Sequence, residues 1–270
     1  MPELPEVETI RRGLAKNIIG KKIAGFDCDS PKMINRPLAE YKKTLIGRQI
    51  KAVERRAKMI IFDLSGDWRL FFHLKLTGQL VFSGPTRFTH ATFLFSDKSH
   101  LYFNDIRKFG WVRLYRSREL EEKLEEMKLG PEPLNDDFTP AVFKTILKKK
   151  PNNKIKVFLM DPQNIVGIGN IYSDEICFFA RVRPDRPVKT LTEKEITLLF
   201  KGIKKILNEA VKYEGTSVSD YVNALGEAGA YTKKLRVYRR YGQKCYLCKG
   251  VVRRLKLGGR TSSFCPNCQK

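Results

Sequence analysis

Two pairs of cysteines near the C-terminus constrain the fold of this chain more than any other feature. Cys245 and Cys248 form one Cys-x2-Cys pair, Cys265 and Cys268 form a second, and sixteen residues separate the pairs. This spacing is typical of a zinc site. Four thiolates fill the tetrahedral shell of Zn²⁺ and leave no open position, so the sequence predicts one structural Zn²⁺ held in a four-cysteine finger.

The residues between the cysteine pairs are basic and contain a turn signal. Gly258-Gly259 predicts a hairpin, and Arg260 follows it directly. Such a tip would present cations to phosphates, although a solvated charged turn is the simpler interpretation of any single arginine. Four cations contribute to this segment: Arg253, Arg254, Lys256 and Arg260.

The charge of the whole chain favours the same kind of partner. Lys and Arg number 52 against 29 Asp and Glu, which leaves a net charge of +23. An excess of this size indicates a polyanionic partner, most often nucleic acid, and the alternative is a basic protein without one. No apolar run reaches the ~18 residues of a membrane span, and the N-terminal stretch lacks the apolar h-region of a signal peptide, so we expect a cytoplasmic protein.

The N-terminal stretch carries the candidate chemistry. If Met1 is removed, Pro2 becomes a secondary amine, and a terminal amine titrates near ~8, far below a lysine. Its attack on an aldehyde-level carbon gives a cationic iminium, which acidifies the neighbouring C–H and favours elimination. Glu3 or Glu6 would serve as general acid. The plainer interpretation of these residues alone is an ordinary helix start at Pro5.

The first half of the chain predicts an antiparallel sandwich or barrel. After a first helix with apolar residues at helical spacing, residues 22–115 form short strands with no helices between them. Lys58 is expected in one of these strands, where a lone lysine is usually at the surface. A helix follows from Ser117, and Gly130-Pro131-Glu132-Pro133 ends it and predicts a domain boundary.

The second half of the chain is predicted to be helical. Helices are expected after Thr139-Pro140 and after the capping box of Thr192 and Glu195. A Gly-rich turn before Asn170 leads into another helix, and exposed amides at a helix start bind phosphate, although this signal is weak alone. Gly226 and Gly229 suggest a mobile loop within residues 216–240.

Together these segments resemble the formamidopyrimidine-DNA glycosylases. The resemblance covers essentially the whole chain in the family's order, and Leu4 favours this branch over the related endonuclease VIII enzymes. The motifs that carry it are Pro2-Glu3-Leu4-Pro5-Glu6, Lys58, His73-Leu74-Lys75-Leu76-Thr77-Gly78, Asp105-Ile106-Arg107-Lys108-Phe109-Gly110, Gly167-Ile168-Gly169-Asn170-Ile171-Tyr172 and the terminal finger.

The resemblance implies an α+β enzyme in three parts. Residues 1–131 would form a catalytic antiparallel β-sandwich with flanking helices. Residues 132–240 would form a helical domain with a helix–two-turn–helix motif, and residues 241–270 the zinc finger. The partner would be double-stranded DNA with a damaged base or abasic site, lying in the cleft between the domains with the damaged nucleotide flipped out. We expect a monomer in the bacterial cytoplasm, associated with the nucleoid through DNA.

The resemblance also implies roles for individual residues. Pro2 would attack C1′ of the flipped nucleotide and displace the base, and the Schiff base would undergo β- and then δ-elimination. Glu3 would be the general acid near the sugar ring oxygen, Glu6 a supporting carboxylate, and Lys58 a phosphate contact that assists elimination. The residues expected to grip phosphates around the lesion are His73, Lys156, Asn170 and Arg260.

Three further positions correspond to the residues that fill the hole left by the flipped nucleotide: Leu76, Arg107 and Phe109. The family usually has methionine where Leu76 stands and proline where Ile106 stands. The loop that closes over an oxidised guanine corresponds to residues 217–234. The sequence thus predicts a bifunctional glycosylase and abasic-site lyase. Two alternatives are a lyase with lost or altered base excision and a non-catalytic zinc-finger DNA-binding protein.

Overall fold

The computed structural model describes all 270 residues, which divide by packing into two units. The first contains Met1–Lys128 and Tyr213–Thr232, and the second contains Leu129–Lys212 and Lys233–Lys270. The expected boundaries after residues 131 and 240 remain predictions. The packing differs from them at Tyr213–Thr232, which those boundaries place in the helical domain. None of the helices has both the length and the hydrophobicity that a membrane span requires.

The first unit contains two four-stranded antiparallel sheets, with strand orders β1-β6-β7-β5 and β2-β3-β4-β8. Side chains from both sheets share one core, in which the ring of Phe72 lies 5.9 Å from that of Phe93 and 6.4 Å from that of Phe103. Its strands are β1 Ile23–Cys28, β2 Ile50–Arg56, β3 Met59–Leu64, β4 Trp68–His73, β5 Gly78–Val81, β6 Thr89–Phe95, β7 His100–Asp105 and β8 Trp111–Arg116. The predicted antiparallel sandwich is confirmed.

Helices flank these sheets. Helix α1, Leu4–Ile18, buries Val7, Ile10 and Leu14 in the shared core, as their spacing predicts. The expectation that no helix interrupts residues 22–115 is wrong, because α2, Leu38–Leu45, lies among the strands. The helix has only two turns and buries only Tyr41 and Leu45. Two apolar residues are too few to reveal helical periodicity in the sequence. Helix α3, Ser117–Glu126, ends the contiguous part of the unit.

The second unit is helical and ends in a β-hairpin. Its helices are α4 Pro140–Lys148, α5 Ile155–Met160, α6 Asn170–Phe179 and α7 Glu193–Lys212. Phe138, Phe143 and Phe158 form an aromatic core, with ring centroids 6.0 and 6.5 Å apart along the series. The hairpin pairs β9, Arg253–Leu257, with β10, Arg260–Phe264. With both units, the chain has the predicted α+β class.

Candidate functional site

The start of helix α1 holds two buried carboxylates beside the chain terminus. Glu3 and Glu6 are 3% and 1% exposed. The backbone N–H of Glu3 donates to Oε2 of Glu6 at 2.7 Å. Pro5 lies in the first turn of the helix, where backbone N–H groups have no partner within the helix. Its missing N–H therefore costs no helical hydrogen bond. The helix therefore fixes Pro2, which is itself buried, next to both acids.

The terminal amine in this environment has a lowered pKa. Burial is the largest cause of the lowered pKa of the Met1 amine, and the charge of Lys58 lowers it further. The carboxylates of Glu3, Glu6 and Asp220 oppose this effect without reversing it. Pro2 is one residue further along the same backbone, so removal of Met1 would place the new amine among these charges. Such an amine is neutral, and hence nucleophilic, in a larger fraction of molecules at pH 7.

Lys58 lies in a turn, which corrects the expectation that it sits in a strand. Strands β2 and β3 pair Arg56 with Met59, so Ala57 and Lys58 form the two-residue connection. Ala57 has a φ of 55°, as primed hairpin turns require, and its carbonyl accepts from Nη1 of Arg55 at 2.9 Å. The turn extends the half-buried lysine beyond the sheet, close enough to the amine to affect its pKa.

His73, at the end of β4, is a neutral hydrogen-bond donor. Its Nδ1 accepts the backbone N–H of Lys75 at 2.9 Å, so the proton of the neutral ring resides on Nε2. Burial, with smaller effects from Lys75 and Lys58, lowers the pKa of His73 to about 3. The imidazole can therefore offer an N–H to a phosphate oxygen but contributes no positive charge at neutral pH.

The three predicted hole-filling residues lie on two turns that one carboxylate joins. Asp105 is fully buried. Its Oδ1 accepts from Oγ1 of Thr77 at 2.5 Å and from the N–H of Arg107 at 3.1 Å, and its Oδ2 accepts from Gly110 N–H at 2.6 Å. Thr77 follows Leu76 directly. Asp105 therefore holds the turn of Leu76 against the turn that carries Arg107.

The second of these turns exposes apolar surface. Phe109 is 52% exposed and Ile106 is 49% exposed. The guanidinium of Arg107 stacks on the Phe109 ring at 4.7 Å, and Leu76 is half-buried. Exposed large side chains clustered on an ordered turn mark an interaction site more often than scattered ones do. These residues have a geometry suited to contacting bases rather than the phosphate backbone.

The segment Tyr213–Thr232 packs on the first unit. The mobility that its glycines suggest stays a prediction. Tyr221 and Ala224 belong to the core of that unit. The carbonyl of Ala224 accepts from Phe82 N–H at 2.9 Å, and the carbonyl of Asp220 accepts from Nε2 of Gln79 at 2.5 Å. These long-range contacts leave no local pattern in the sequence.

The four cysteines of the finger form a site of the right size for zinc. Their sulfur atoms all lie within 4.8 Å of one another, with Cys245 and Cys268 at 3.9 Å and Cys248 and Cys265 at 3.4 Å. A tetrahedron with Zn–S bonds of ~2.3 Å has edges of ~3.8 Å, which these separations match. The donor set therefore fits one Zn²⁺ with no open coordination position.

Arg260 is at the tip of the finger's hairpin, as the glycines predict. Gly258 and Gly259 have φ values of 54° and 71° and form the two-residue turn between β9 and β10. Arg260 is exposed and begins β10 opposite Leu257. A guanidinium at this position is presented to solvent by a rigid hairpin, which suits a phosphate contact.

Lys156 is not placed to contact phosphate, and we correct that expectation. Its side chain is 1% exposed, and its ammonium lies 2.7 Å from Oδ1 of Asp174, which is fully buried. The same carboxylate accepts from the hydroxyl of Ser262 at 2.6 Å and from Ser263 N–H at 2.8 Å. Lys156 therefore neutralises an acid that anchors strand β10 of the finger on helix α6.

Glu175 anchors the other side of the finger. Its carboxylate accepts three successive backbone N–H groups, from Arg236, Val237 and Tyr238, at 2.8 to 2.9 Å. Burial raises the pKa of Glu175, against the effect of these hydrogen bonds. Asp174 and Glu175 are neighbours on helix α6. Glu175 thus fixes the segment that leads into the finger, and Asp174 fixes the second strand of its hairpin.

Asn170 faces a cavity of about 360 Å³ at this junction, and its Oδ1 has no hydrogen-bond partner. The sequence identified Asn170 and, among the cations of the finger, Arg254 as candidates, but not the other residues around the cavity. For Arg239, the run of cations at 236–240 was an available signal. The cavity is lined by Asn170, Tyr238, Arg239, Tyr241, Arg254, Thr261 and Ser263.

Comparison with known proteins gives full-length matches. Residues 1–112 match the formamidopyrimidine-DNA glycosylase N-terminal domain, residues 129–222 its H2TH domain, and residues 242–270 the zinc finger found in FPG and IleRS. The chain is 42% identical to the formamidopyrimidine-DNA glycosylase of Listeria innocua serovar 6a, over 100% of both sequences.

Solved structures agree with these matches. A variant of Lactococcus lactis FPG bound to Fapy-dG-containing DNA superposes with a TM-score of 0.92 at 36% identity, over 100% of both chains. Lactococcus lactis Fpg bound to DNA with an abasic site gives a TM-score of 0.92 at 36% identity, over 99% of both chains.

Proposed function

The chain belongs to the formamidopyrimidine-DNA glycosylase family and is a DNA glycosylase and abasic-site lyase of base excision repair; we propose that Pro2 is its nucleophile. One observation carries the assignment of Pro2. Pro2, Glu3 and Glu6 are buried together at the start of α1, and the Met1 amine one residue away has a pKa that is lowered chiefly by burial. An amine in that state is suited to attack, and the adjacent acids to proton transfer.

The proposed reaction starts once Met1 is removed. The Pro2 nitrogen bonds to C1′ of the flipped nucleotide, the bond from C1′ to the base breaks, and the base leaves with the electron pair and the proton that the amine gives up. Glu3 then protonates the sugar ring oxygen as its bond to C1′ breaks, which leaves C1′ and the Pro2 nitrogen joined as a cationic iminium. The iminium then draws electrons from the neighbouring C–H, so β-elimination and δ-elimination release the two flanking phosphates. Lys58, on its turn, neutralises phosphate charge during these steps.

The DNA contacts divide into phosphate-directed and base-directed groups. We assign phosphate contacts to His73 and Asn170 as neutral partners and to Lys58 and Arg260 as cations. Lys156 is not among them, because its ammonium is paired with Asp174. Leu76, Arg107 and Phe109 are assigned to the space that the flipped nucleotide leaves. The forked donors of Arg107 suit an orphaned cytosine.

The choice of lesion is a second question, because Leu76 replaces the methionine usual in the family. Leucine is shorter and less flexible than methionine, so the alternative of a lyase with altered base excision stays open. The Lactococcus lactis relative has been solved with DNA that contains Fapy-dG and with DNA that contains an oxidised pyrimidine, so an oxidised base is the substrate expected here. The non-catalytic alternative is wrong, since the full-length relatives are enzymes.

A lesion panel with borohydride tests substrate and mechanism together. Duplexes containing formamidopyrimidine, 8-oxoguanine, dihydrouracil or a bare abasic site are incubated with the protein and reductant. We expect covalent attachment to the abasic duplex and to at least the formamidopyrimidine duplex. Attachment to the abasic duplex alone would contradict the glycosylase activity.

A matched variant identifies the amine. Pro2→Gly keeps a terminal amine but changes it from secondary to primary and frees the backbone, so we expect trapping to fall by about a hundredfold or more. Lys58→Ala serves as the comparison, because it removes the other nearby amine. Unchanged trapping by Pro2→Gly together with loss in Lys58→Ala would assign the nucleophile to Lys58.

We further propose that the protein acts as a monomer in the bacterial cytoplasm, associated with the nucleoid. Support comes from its strong positive charge, from bacterial relatives of equal length and from contact sites supplied by a single chain. Light scattering of the free protein and of its DNA complex would test the monomer, and a dimer in both samples would refute it.

A further inference from the structure

Glu6 connects two parts of the first unit that are distant in sequence. Its Oε2 accepts the N–H of Glu3 at 2.7 Å, and its Oε1 accepts the N–H of Thr216 at 2.8 Å. Glu6 and Thr216 are 1% and 2% exposed. Because each oxygen accepts from a different backbone segment, the carboxylate links the residue that follows Pro2 to the segment near residue 216.

Thr216 belongs to the base of a closed loop. It forms an isolated β-bridge with Ala230, which brings the two ends of residues 217–229 together. Within the loop, the hydroxyl of Ser217 accepts from Gly229 N–H at 2.9 Å and donates to the carbonyl of Tyr221 at 2.7 Å. These hydrogen bonds tie the two ends of the loop together at its base. Because Thr216 is part of that base, any displacement of the base also moves Thr216.

We propose that Glu6 is a positioning residue that couples the base of the 217–229 loop to the placement of the Pro2 amine. The proposal rests on the function assigned above. If the loop base shifts, the Thr216 N–H moves, the Glu6 carboxylate follows it, and the hydrogen bond that holds Glu3 is strained or broken. The position of the Pro2 amine then depends on the conformation of the loop base, whether or not a damaged base occupies the site.

Gly215 offers a direct way to perturb this coupling. It has a φ of 84°, and a Cβ there would lie 2.9 Å from Oε1 of Glu6 and 2.9 Å from Cε1 of Tyr221. An alanine must therefore displace the Glu6 carboxylate or the loop base. Gly47 is the matched control, because its φ is 85° but a Cβ there meets nothing within 4 Å. Gly47→Ala reproduces the backbone strain without the collision.

The decisive substrate is a duplex with a bare abasic site, which has no base for a loop to hold. We expect Gly215→Ala to slow single-turnover borohydride trapping on this duplex by about tenfold to a hundredfold, as misplacement of a reacting group does. DNA affinity should change by less than about threefold. Gly47→Ala should trap at the wild-type rate. If the loop serves only to bind the damaged base, Gly215→Ala will trap the abasic duplex at the wild-type rate. That result would refute the coupling.

A double-mutant cycle tests whether Glu6 transmits the effect. Glutamine at position 6 has one acceptor oxygen, so Glu6→Gln cannot accept from both Glu3 and Thr216. We expect Glu6→Gln to slow trapping by itself and the Gly215→Ala change to add less than about twofold in that background. Additive effects would show that Gly215 acts through another route and would overturn the role of Glu6.

Two controls separate the possible failures. Absence of trapping by the wild-type protein would refute the proposed function itself, whereas wild-type trapping with an unaffected Gly215→Ala refutes the coupling alone. If Gly215→Ala does not fold, hydrogen exchange on Glu6→Gln replaces it. The Glu3 amide or the Thr216 amide should then exchange about tenfold faster than in wild type, and unchanged exchange at both amides overturns the proposal.

Discussion

Replacing Asp105 with asparagine should loosen both turns that carry the predicted base-contacting residues. The amide oxygen of asparagine can keep the contacts of Oδ1 with Thr77 and Arg107, but its NH2 group would then face the Gly110 N–H, which now donates to Oδ2 at 2.6 Å. A charge-assisted hydrogen bond is lost and a buried donor is left unsatisfied. Together these effects should lower the free energy of unfolding by about 2–4 kcal/mol.

The functional consequence can be measured separately from stability. With the turns loosened, Leu76 and Arg107 are held less firmly, so single-turnover excision of a formamidopyrimidine base should slow by about tenfold. Denaturant unfolding gives the change in stability. A single-turnover time course with quenched samples, at saturating enzyme, gives the excision rate. Both should be recorded on the same preparation, well below its unfolding midpoint.

Asp97→Asn is the matched control for this prediction. Asp97 also accepts a backbone N–H in a hairpin turn, from Ser99 at 3.0 Å, and pairs with Lys21, but it is exposed. Its replacement should cost far less stability than Asp105→Asn and leave excision unchanged. If Asp105→Asn proves as mild as Asp97→Asn in both assays, Asp105 does not organise these turns.

Three further predictions follow from the charges of the site. Arg260→Ala should reduce the slope of log K against log salt by about 0.9, whereas His73→Ala should weaken binding with the slope unchanged, because a ring with a pKa of about 3 is neutral and neutralises no phosphate. Equal slope changes in titrations over 50–200 mM salt would contradict the neutral histidine. Lys156→Met should destabilise the protein by about 3–5 kcal/mol, since it leaves Asp174 buried without its cation, and thermal unfolding against the wild type should show this loss. Finally, trapping at abasic sites should fall as pH falls through the pKa of the Pro2 amine, since only the neutral amine attacks. Burial lowers the pKa of the Met1 amine one residue away, and we expect the same direction at Pro2 once Met1 is removed. The midpoint of a pH–rate profile should therefore lie below the midpoint for a short peptide that begins with the same Pro-Glu sequence, and a midpoint above it would refute the buried amine.

Structural features that depend on residues close together in the sequence could be predicted. The apolar spacing along α1, the glycine turn at 258–259 and the two Cys-x2-Cys pairs each specify a structure through neighbouring residues. The candidate residues Pro2, Glu3 and Glu6 were also identified in this way, because they lie at or just before the start of one helix.

Features set by distant partners could not be predicted. Nothing near Lys156 in the sequence shows that its ammonium meets Asp174, so the family resemblance alone assigned it to phosphate. Asp105 gave no sign that it joins two turns, since its contact with Thr77 spans 28 residues. The contact of Glu6 with Thr216 spans 210 residues, so only the folded chain reveals it.

The return of Tyr213–Thr232 to the first unit affects the order in which the protein can mature during synthesis. Tyr221 and Ala224 complete the core of that unit, so the β-sandwich emerging from the ribosome lacks part of its interior after residue 128. At about 5–20 residues per second, the missing piece arrives on the order of 5–20 s later. Throughout that interval the nascent sandwich exposes apolar surface, and a stop codon anywhere before residue 224 would leave it permanently unfinished.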